Sequence, residues 1–166
     1  MKKFLTALAV LCFTANAFSQ TNSKIKKVNK MSNKIEHINP KELLKNPGFS
    51  QIVTTQGNGK TIYIGGQDAV NLKGEIIGKG DIAAQTEQVM KNLQTALSAS
   101  ETTFDNLVKL TIYLVQGQNI QSGFEVSQKY FGKLKSPTAS SVLVVAGLAN
   151  PDFLVKIDAI AFIPEK

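Results

Sequence analysis

Two ionisable residues lie in an otherwise apolar stretch near the end of the chain, and they are the main candidates for chemistry. Lys156 and Asp158 stand two positions apart in "FLVKIDAIAFI", residues 153–163, so in a strand they project from one face. Burying either charge costs free energy unless it is paired. A carboxylate held in a dry cleft can act as a general base or orient a water molecule. Structural pairing at a subunit contact is an equally good interpretation.

Several other catalytic arrangements are excluded by the residue types. His37 is the single histidine, so one chain can form neither a Ser-His-Asp triad nor a multi-histidine metal site. Cys12 is the single cysteine. "GNGKT" lacks the spacing of a phosphate-binding loop and indicates a turn. The glycines of "IGGQ", residues 64–67, either bring backbone N–H groups near a ligand or provide the unusual backbone angles that the end of the strand needs. We predict no metal and no cofactor.

The amino-terminal segment predicts export. Lys2 and Lys3 precede the apolar run "FLTALAVLCF" and the small residues of "TANAFSQ". A positive start, an apolar run too short to span a bilayer and small residues are typical of a secretory signal peptide. We expect it over residues 1–19, with cleavage before Phe18 or Gln20, and a periplasmic or secreted protein without stable membrane insertion. A buried amino-terminal helix is the alternative.

The positive charge is concentrated ahead of the main part of the chain. The net charge is +7 and all 19 basic residues are lysines. Seven of them lie between residues 21 and 45, whereas ten lysines and ten acidic residues follow from residue 46 onward. We predict a flexible basic leader over residues 20–45 and one folded domain over 46–166. A neutral domain without arginine or tryptophan is a poor reader of bases, so we predict no nucleic-acid partner.

The pattern of the domain predicts the order β-β-α-β-α-β-β. Asn58-Gly59 favours a hairpin between "IVTT" and "TIYIGG". Asp81 stands at the N-cap position of a helix whose apolar face comprises Ile82, Val89, Met90, Leu93 and Leu97. A second helix over residues 118–132 has Ile120, Phe124 and Phe131 on one side, and "SSVLVVAGL" indicates a strand buried on both faces.

This order predicts an α+β domain, a mixed β-sheet with two helices packed on one face. Alternate residues of 153–163 are substantially apolar on both sides of the last strand. The sheet face without helices is therefore expected to be buried in another subunit.

Seven segments, in this order and spacing, resemble the RidA/YjgF family, whose members act on reactive enamines and imines. They are "NPGFSQ", "IYIGGQ", "GDIAAQTEQVMKNLQTAL", "LVKLTIYL", "KYF", "PTAS" and "AGLANPDFLVKIDAIA", and the resemblance covers roughly residues 38–164. It implies a chorismate-mutase-like fold for the RidA-like domain over 46–166, and a homotrimer with small-molecule clefts between adjacent subunits.

The resemblance also implies site residues, several of them altered here. The arginine that holds the substrate carboxylate corresponds to Ser140, which offers a hydroxyl and no charge. The glutamate that orients the attacking water corresponds to Asp158, the implied catalytic residue. The other implied substrate-binding residues are Phe49 in place of a tyrosine, Phe124 in place of an asparagine, and the retained Gly66 and Gln67.

These replacements predict a more apolar cleft that binds amino-acid-derived imino acids poorly. The first functional hypothesis is an exported enamine or imine hydrolase for a substrate without a carboxylate, with Asp158 orienting water and Gly66 and Ser140 giving polar contacts. The second is a homotrimeric module that binds a small, apolar molecule without reaction. Ribonuclease activity or translation inhibition is disfavoured by the neutral domain, the lack of a suitable histidine and the export signal.

Overall fold

The computed structural model describes residues 32–166. The predicted signal peptide and the first part of the leader lie outside the described residues. In chain order the elements are β1 (Lys34–Ile38), β2 (Ile52–Gln56), β3 (Gly59–Gln67), α1 (Ile82–Ala99), a 3-10 turn (Phe104–Asn106), β4 (Leu107–Val115), α2 (Ile120–Phe131), β5 (Ala139–Val145) and β6 (Val155–Pro164). No helix among the described residues is long and apolar enough to cross a membrane.

The main sheet is mixed, as predicted. Its strand order is β3-β6-β4-β5, with β6 antiparallel to both β3 and β4, and β4 parallel to β5. The parallel pair is joined through α2, since parallel neighbours need a crossover connection. The α+β class is confirmed.

Helix α1 supplies most of the core that covers one side of this sheet. Asp81 caps it, its Oδ1 accepting hydrogen bonds from the backbone N–H groups of Ala83 and Ala84 at 2.9 and 3.1 Å. The predicted apolar face is buried in full: Ile82, Val89, Met90, Leu93 and Leu97 are at most 6% exposed. These side chains form one cluster with Leu110 of β4 and Ile157 of β6.

The last strand alternates as its sequence predicts. Val155, Ile157, Ala159 and Ala161 are buried on the helix side, whereas Lys156, Asp158 and Ile160 are half-buried. We call the side without helices the open face. It carries Lys109, Thr111 and Tyr113 of β4, Ser141 of β5, and Lys156 and Asp158 of β6.

The predicted flexible leader is wrong for its final part. Residues 34–38 form β1, which pairs with β2 from Lys34–Gln56 to Ile38–Ile52, so the described fold begins well before residue 46. The sequence gives little sign of this strand, because the apolar residues of "KIEHI", Ile35 and Ile38, are three positions apart and lysines surround them. His37 also ties this strand to the rest of the domain, with its Nδ1 2.9 Å from the carbonyl oxygen of Pro137.

The predicted hairpin between β2 and β3 is also wrong. The chain does turn at residues 57–58, where Gly57 has a φ of 82° and the side chain of Asn33 accepts a hydrogen bond from Asn58 N at 2.8 Å. However, β2 pairs with β1, and β3 pairs with β6. Strand β3 buries Ile62 and Ile64 in the core. This burial sets the pairing of β3, and it cannot be predicted from the turn residues alone.

Strand β5 was predicted to be buried on both faces, which is wrong for the single chain. Among the described residues 32–166 it pairs with β4 alone and forms an edge of the sheet. Its central residues Val142, Leu143 and Val144 are 57%, 42% and 61% exposed. A run of apolar residues is typical of a buried strand, but the strand order leaves this one at an edge.

Candidate functional site

The carboxylate of Asp158 lies on the open face and is held by a tyrosine. Asp158 stands opposite Thr111 in the β4–β6 register, and its Oδ2 accepts a hydrogen bond from the hydroxyl of Tyr113 at 3.2 Å. The negative charge of Asp158, followed by desolvation and this hydrogen bond, raises the pKa of Tyr113 above 10. The phenol therefore remains protonated at neutral pH and keeps donating to the carboxylate.

Lys156 pairs with a neighbouring strand end and not with Asp158. Its Nζ lies 3.2 Å from Oδ2 of Asp68, the residue that follows β3. The Asp68 side chain is 20% exposed, and its Oδ1 is buried without a hydrogen-bond partner among the described residues. Sequence reasoning missed both Asp68 and Tyr113, although Asp68 comes directly after the "IGGQ" that drew attention to this strand end.

Gly66 allows β3 to approach these two charged side chains. An ideal Cβ built on Gly66 would lie 1.9 Å from Cε of Lys156 and 2.6 Å from Oδ1 of Asp158. Any side chain here would displace both groups. The β3–β6 register shifts between Ile64 and Gln67, consistent with a bulge that brings the backbone toward β6. Gln67 itself donates from Nε2 to the Gly65 carbonyl oxygen at 2.9 Å and is directed to its own strand.

A second lysine occupies the other end of the open face. Lys109 donates from Nζ to the hydroxyl of Ser141 at 2.7 Å. Ser141 stands opposite Thr111, and Thr111 stands opposite Asp158. These three residues therefore form one row across β5, β4 and β6, with the Lys109 ammonium at one end and the Asp158 carboxylate at the other.

The structure does not bring Ser140 to Asp158. Ser140 stands opposite Leu110, which is 2% exposed in the core under the helices. Because successive residues of a strand point to opposite faces, Ser140 faces the helix side, whereas Ser141 faces the side of Asp158. The two residues that the resemblance assigns to one cleft thus lie on opposite faces of the sheet within the single chain.

Phe124 also lies on the helix side. It lines a cleft between α2 and the sheet, together with Ile112, Val142 and Ile157, and the space there amounts to about 480 Å³, part of it open to solvent. The polar side chains of its lining are the hydroxyls of Thr86 and Ser127. Phe124 remains 51% exposed at the margin of this cleft.

Phe49 lies near the start of β5. It is half-buried and bridges Asn46 in a tight turn. Ser50, the next residue, is 2% exposed and donates from its backbone N–H to the Thr138 carbonyl oxygen at 3.0 Å. Phe49 is thereby placed at the end of the sheet where β5 begins opposite Lys109.

The arrangement on the open face can do acid–base and polar chemistry. Among the described residues there is no group of three or more histidine, cysteine or acidic side chains that could hold a metal ion. Of the six residues singled out from the sequence, Gly66 and Asp158 are neighbours across the β3–β6 pair, since a Cβ added to Gly66 would meet Oδ1 of Asp158.

Comparison with known proteins shows which family the chain resembles. The family model described as Endoribonuclease L-PSP matches residues 41–163. A RutC family protein of Pyrococcus horikoshii is 35% identical over 105 residues, covering 63% of this chain and 80% of that protein. The human 2-iminobutanoate/2-iminopropanoate deaminase is 30% identical over 98 residues, covering 59% of this chain and 69% of that enzyme.

A solved structure agrees with the described fold. The Rid family protein YyfB of Yersinia pestis superimposes with a TM-score of 0.69 at 33% identity, covering 78% of this chain and 98% of that chain. Two helices on one face of a mixed sheet match the chorismate-mutase-like fold that the sequence resemblance implied. The match over residues 41–163 and these relatives show that the chain belongs to the RidA/YjgF family.

Proposed function

We propose that this protein is an exported hydrolase that converts a small imine or enamine into a carbonyl compound and ammonia, in a cleft between the subunits of a homotrimer. Asp158 orients the attacking water. The observation that supports this role best is the anchored carboxylate: Tyr113 holds Oδ2 at 3.2 Å, and Oδ1 lies beside the backbone of Gly66. The deaminase activity in the name of the human relative supports the reaction class.

The proposed reaction needs a positioned water and two proton movements. Water adds to the imine carbon while a proton passes to the nitrogen, which gives a carbinolamine. The carbon–nitrogen bond then breaks, ammonia leaves, and the hydroxyl oxygen becomes the carbonyl oxygen. An enamine reaches the same imine by taking a proton on carbon. A carboxylate whose orientation is fixed by a protonated phenol can accept a hydrogen bond from the water and aim its lone pair at the carbon.

The proposed assembly is supported by apolar side chains that the single chain leaves exposed. Tyr63 of β3 is 78% exposed, and Val142 and Val144 at the β5 edge are 57% and 61% exposed. Exposed apolar groups of this kind are typical of subunit contacts. Covering the open face would also exclude water from the surroundings of Asp158, which strengthens its electrostatic interactions. Light scattering of the purified protein should give three times the mass of one chain.

Ammonia release tests the activity. The mature protein is mixed with imines generated from several amino acids and from simple amines. Asp158→Ala should lower kcat roughly 100-fold, the usual contribution of a positioned acid–base group. Asp105→Ala, which removes an exposed carboxylate from the turn before β4, is the matched control and should retain full activity. Equal rates for the Asp158 variant and the parent would contradict the proposed role.

Export is tested separately. Mass spectrometry of the protein from its native host should find Phe18 or Gln20 at the amino terminus. An intact Met1 would contradict cleavage of a signal peptide.

A homotrimeric binding module is the second candidate function, and the cleft between α2 and the sheet favours it. Its lining by Phe124, Val142 and Ile157 suits a small apolar molecule. No ammonia release from any imine, together with saturable binding of an apolar probe that Phe124→Ala weakens, would favour the module over the hydrolase.

A further inference from the structure

We propose that Lys109, positioned by Ser141, binds an anionic group of the substrate and thereby determines specificity at the Asp158 site. This assignment deepens the proposed function and depends on it for the identity of the reacting group. The substrate is then a small imine that carries a carboxylate close to the carbon–nitrogen bond. The contacts of Lys109 and the row formed by Ser141, Thr111 and Asp158 support the proposal.

The two lysines of the open face differ in their partners. Lys156 is neutralised by Asp68, with Nζ 3.2 Å from Oδ2. The Nζ of Lys109 contacts a neutral hydroxyl at 2.7 Å, and no carboxylate of the described residues lies within 4.0 Å of it. Lys109 is therefore a cation of the open face whose charge remains available to a ligand.

Lys109 is partly buried, which favours the binding of an anion to its charge. Lys109 is half-buried in the single chain, and covering the open face in an oligomer would bury it further. A charged group removed from water costs free energy unless an opposite charge accompanies it. Because Ser141 supplies only a dipole, a ligand anion would complete the pairing. The contact with Ser141 also fixes the direction of a side chain that is otherwise flexible.

The length of the row from Ser141 to Asp158 suits one small molecule. Ser141, Thr111 and Asp158 occupy successive strands, and neighbouring strands lie about 4.8 Å apart, so the backbones of Ser141 and Asp158 are roughly 10 Å apart. A carboxylate hydrogen-bonded to Lys109 and a water hydrogen-bonded to Asp158 each take up about 2.8 Å. A row of this length has room for a small molecule whose carboxylate is bonded directly to the imine carbon that the water approaches.

This placement changes the specificity that Ser140 suggested. The loss of the arginine predicted a more apolar cleft that binds amino-acid-derived imino acids poorly. Ser140, however, faces the helix side, and the side of Asp158 carries the cation of Lys109. A lysine offers a point charge and not a planar pair of donors. It can therefore hold a carboxylate, but it aligns the carboxylate plane less strictly.

The test compares charged and uncharged imines in the same full-length mature protein. Lys109→Met should raise KM roughly 10-fold to 100-fold for imines generated from amino acids, and leave kcat/KM within about twofold for imines generated from simple amines. Lys109→Arg should restore most of the affinity for the charged imines. Lys73→Met, an exposed loop lysine, is the matched control for removal of one charge. Equal losses on both imine classes, or no loss on the charged class, would overturn the proposal.

A binding measurement separates this proposal from the proposed hydrolysis. 2-Oxobutanoate, the hydrolysis product of 2-iminobutanoate, and uncharged 2-butanone are titrated in turn and followed by NMR. If the parent protein releases no ammonia but binds 2-oxobutanoate in a way that Lys109→Met abolishes, the anion site stands and the hydrolase assignment fails. If 2-oxobutanoate binds the parent and the variant equally, the anion site fails.

Ser141→Ala keeps the charge of Lys109 and removes only the hydroxyl that positions it. This variant tests the proposal if Lys109→Met fails to fold. It should raise KM for the charged imines about threefold, because one neutral hydrogen bond is lost. It should leave the uncharged imines unaffected. An unchanged KM for the charged imines would contradict the positioning role.

Discussion

The two faces of the four-stranded sheet differ in how their side chains are satisfied. On the helix side, Leu110, Ile112 and Leu114 of β4 belong to or pack against one apolar core. On the open face, Lys109 and Tyr113 of the same strand make single polar contacts, to Ser141 and to Asp158. One strand thus contributes to both environments through its two-residue alternation.

This difference separates stability from chemistry. Under α1 the helix side is packed within one chain, because this helix buries its apolar residues against the sheet. The open face holds one lysine, Lys109, and one carboxylate, Asp158, whose side-chain hydrogen bonds are to neutral hydroxyl groups. Charged groups left partly paired in a sheet face are typical of functional sites. Substitutions on the two faces should consequently affect different measurements.

Neighbouring residues of β4 give the largest expected contrast. Leu110→Ala should lower the free energy of unfolding by about 2–5 kcal/mol, because Leu110 is 2% exposed and its loss leaves a cavity. Thr111→Ala on the open face should cost less than about 1 kcal/mol. Urea denaturation at one protein concentration measures both, since dissociation of an oligomer would make the midpoints concentration-dependent. Equal losses would contradict the assignment of the two faces.

Neighbouring glycines of β3 give the next contrast, this time in activity. Gly66→Ala places a Cβ against Lys156 and Asp158, so both should move and kcat/KM should fall roughly 10-fold to 100-fold. The cost in stability should be only about 1 kcal/mol, because the lysine end is flexible. Gly65→Ala is the matched control, since a Cβ there meets nothing within 4 Å. Equal activity of the two variants would show that the Gly66 contact does not serve the reaction.

Local patterns were sufficient to predict the elements that pack within the chain. The helical spacing from Ile82 to Leu97 and the N-cap of Asp81 correspond to α1 as observed. The alternation of residues 155–161 distinguishes the buried and half-buried sides of β6. These features depend on a residue's own neighbours in sequence, so periodicity reveals them.

The contacts of the site could not be predicted in the same way, because they depend on strand register. A shift of one residue moves a side chain to the other face, and Ser140 and Ser141 differ by that one residue. The roles of Tyr113, Asp68 and Lys109 depend on contacts with residues of other strands. For Ser141 the sequence gives no such signal, because the apolar run that follows it, Val142–Val145, does not alternate.

The smallest expected effect comes from a polar contact between the two helices on the helix side. The hydroxyl of Tyr130 on α2 donates to Oε1 of Glu87 on α1 at 2.7 Å. Desolvation, followed by the hydrogen bond and charge of Glu87, raises the pKa of Tyr130 from 10 to about 12. The same hydrogen bond is the main cause that lowers the pKa of Glu87 below 4.5.

The signs of these shifts predict where stability changes with pH. The folded chain retains the Tyr130 proton above pH 10, where the unfolded chain releases it, so this contribution is complete below pH 10 and is lost as the pH rises toward about 12. The Glu87 contribution is present above pH 4.5 and is lost as the pH falls through its lowered pKa. Tyr130→Phe keeps the ring that packs on Phe104 and should cost about 1 kcal/mol at neutral pH.

The difference in unfolding free energy between the parent and Tyr130→Phe should therefore shrink between pH 10 and 12, as chemical denaturation at each pH can measure. Glu87→Gln keeps an acceptor but removes the charge, so it should abolish the acid-side change and retain part of the alkaline one. Neither variant should alter kcat for imine hydrolysis at neutral pH, because this contact joins the two helices away from the open face. A loss of kcat/KM as large as the loss in Gly66→Ala would mean that the two faces are coupled, and the separation of stability from chemistry would not hold.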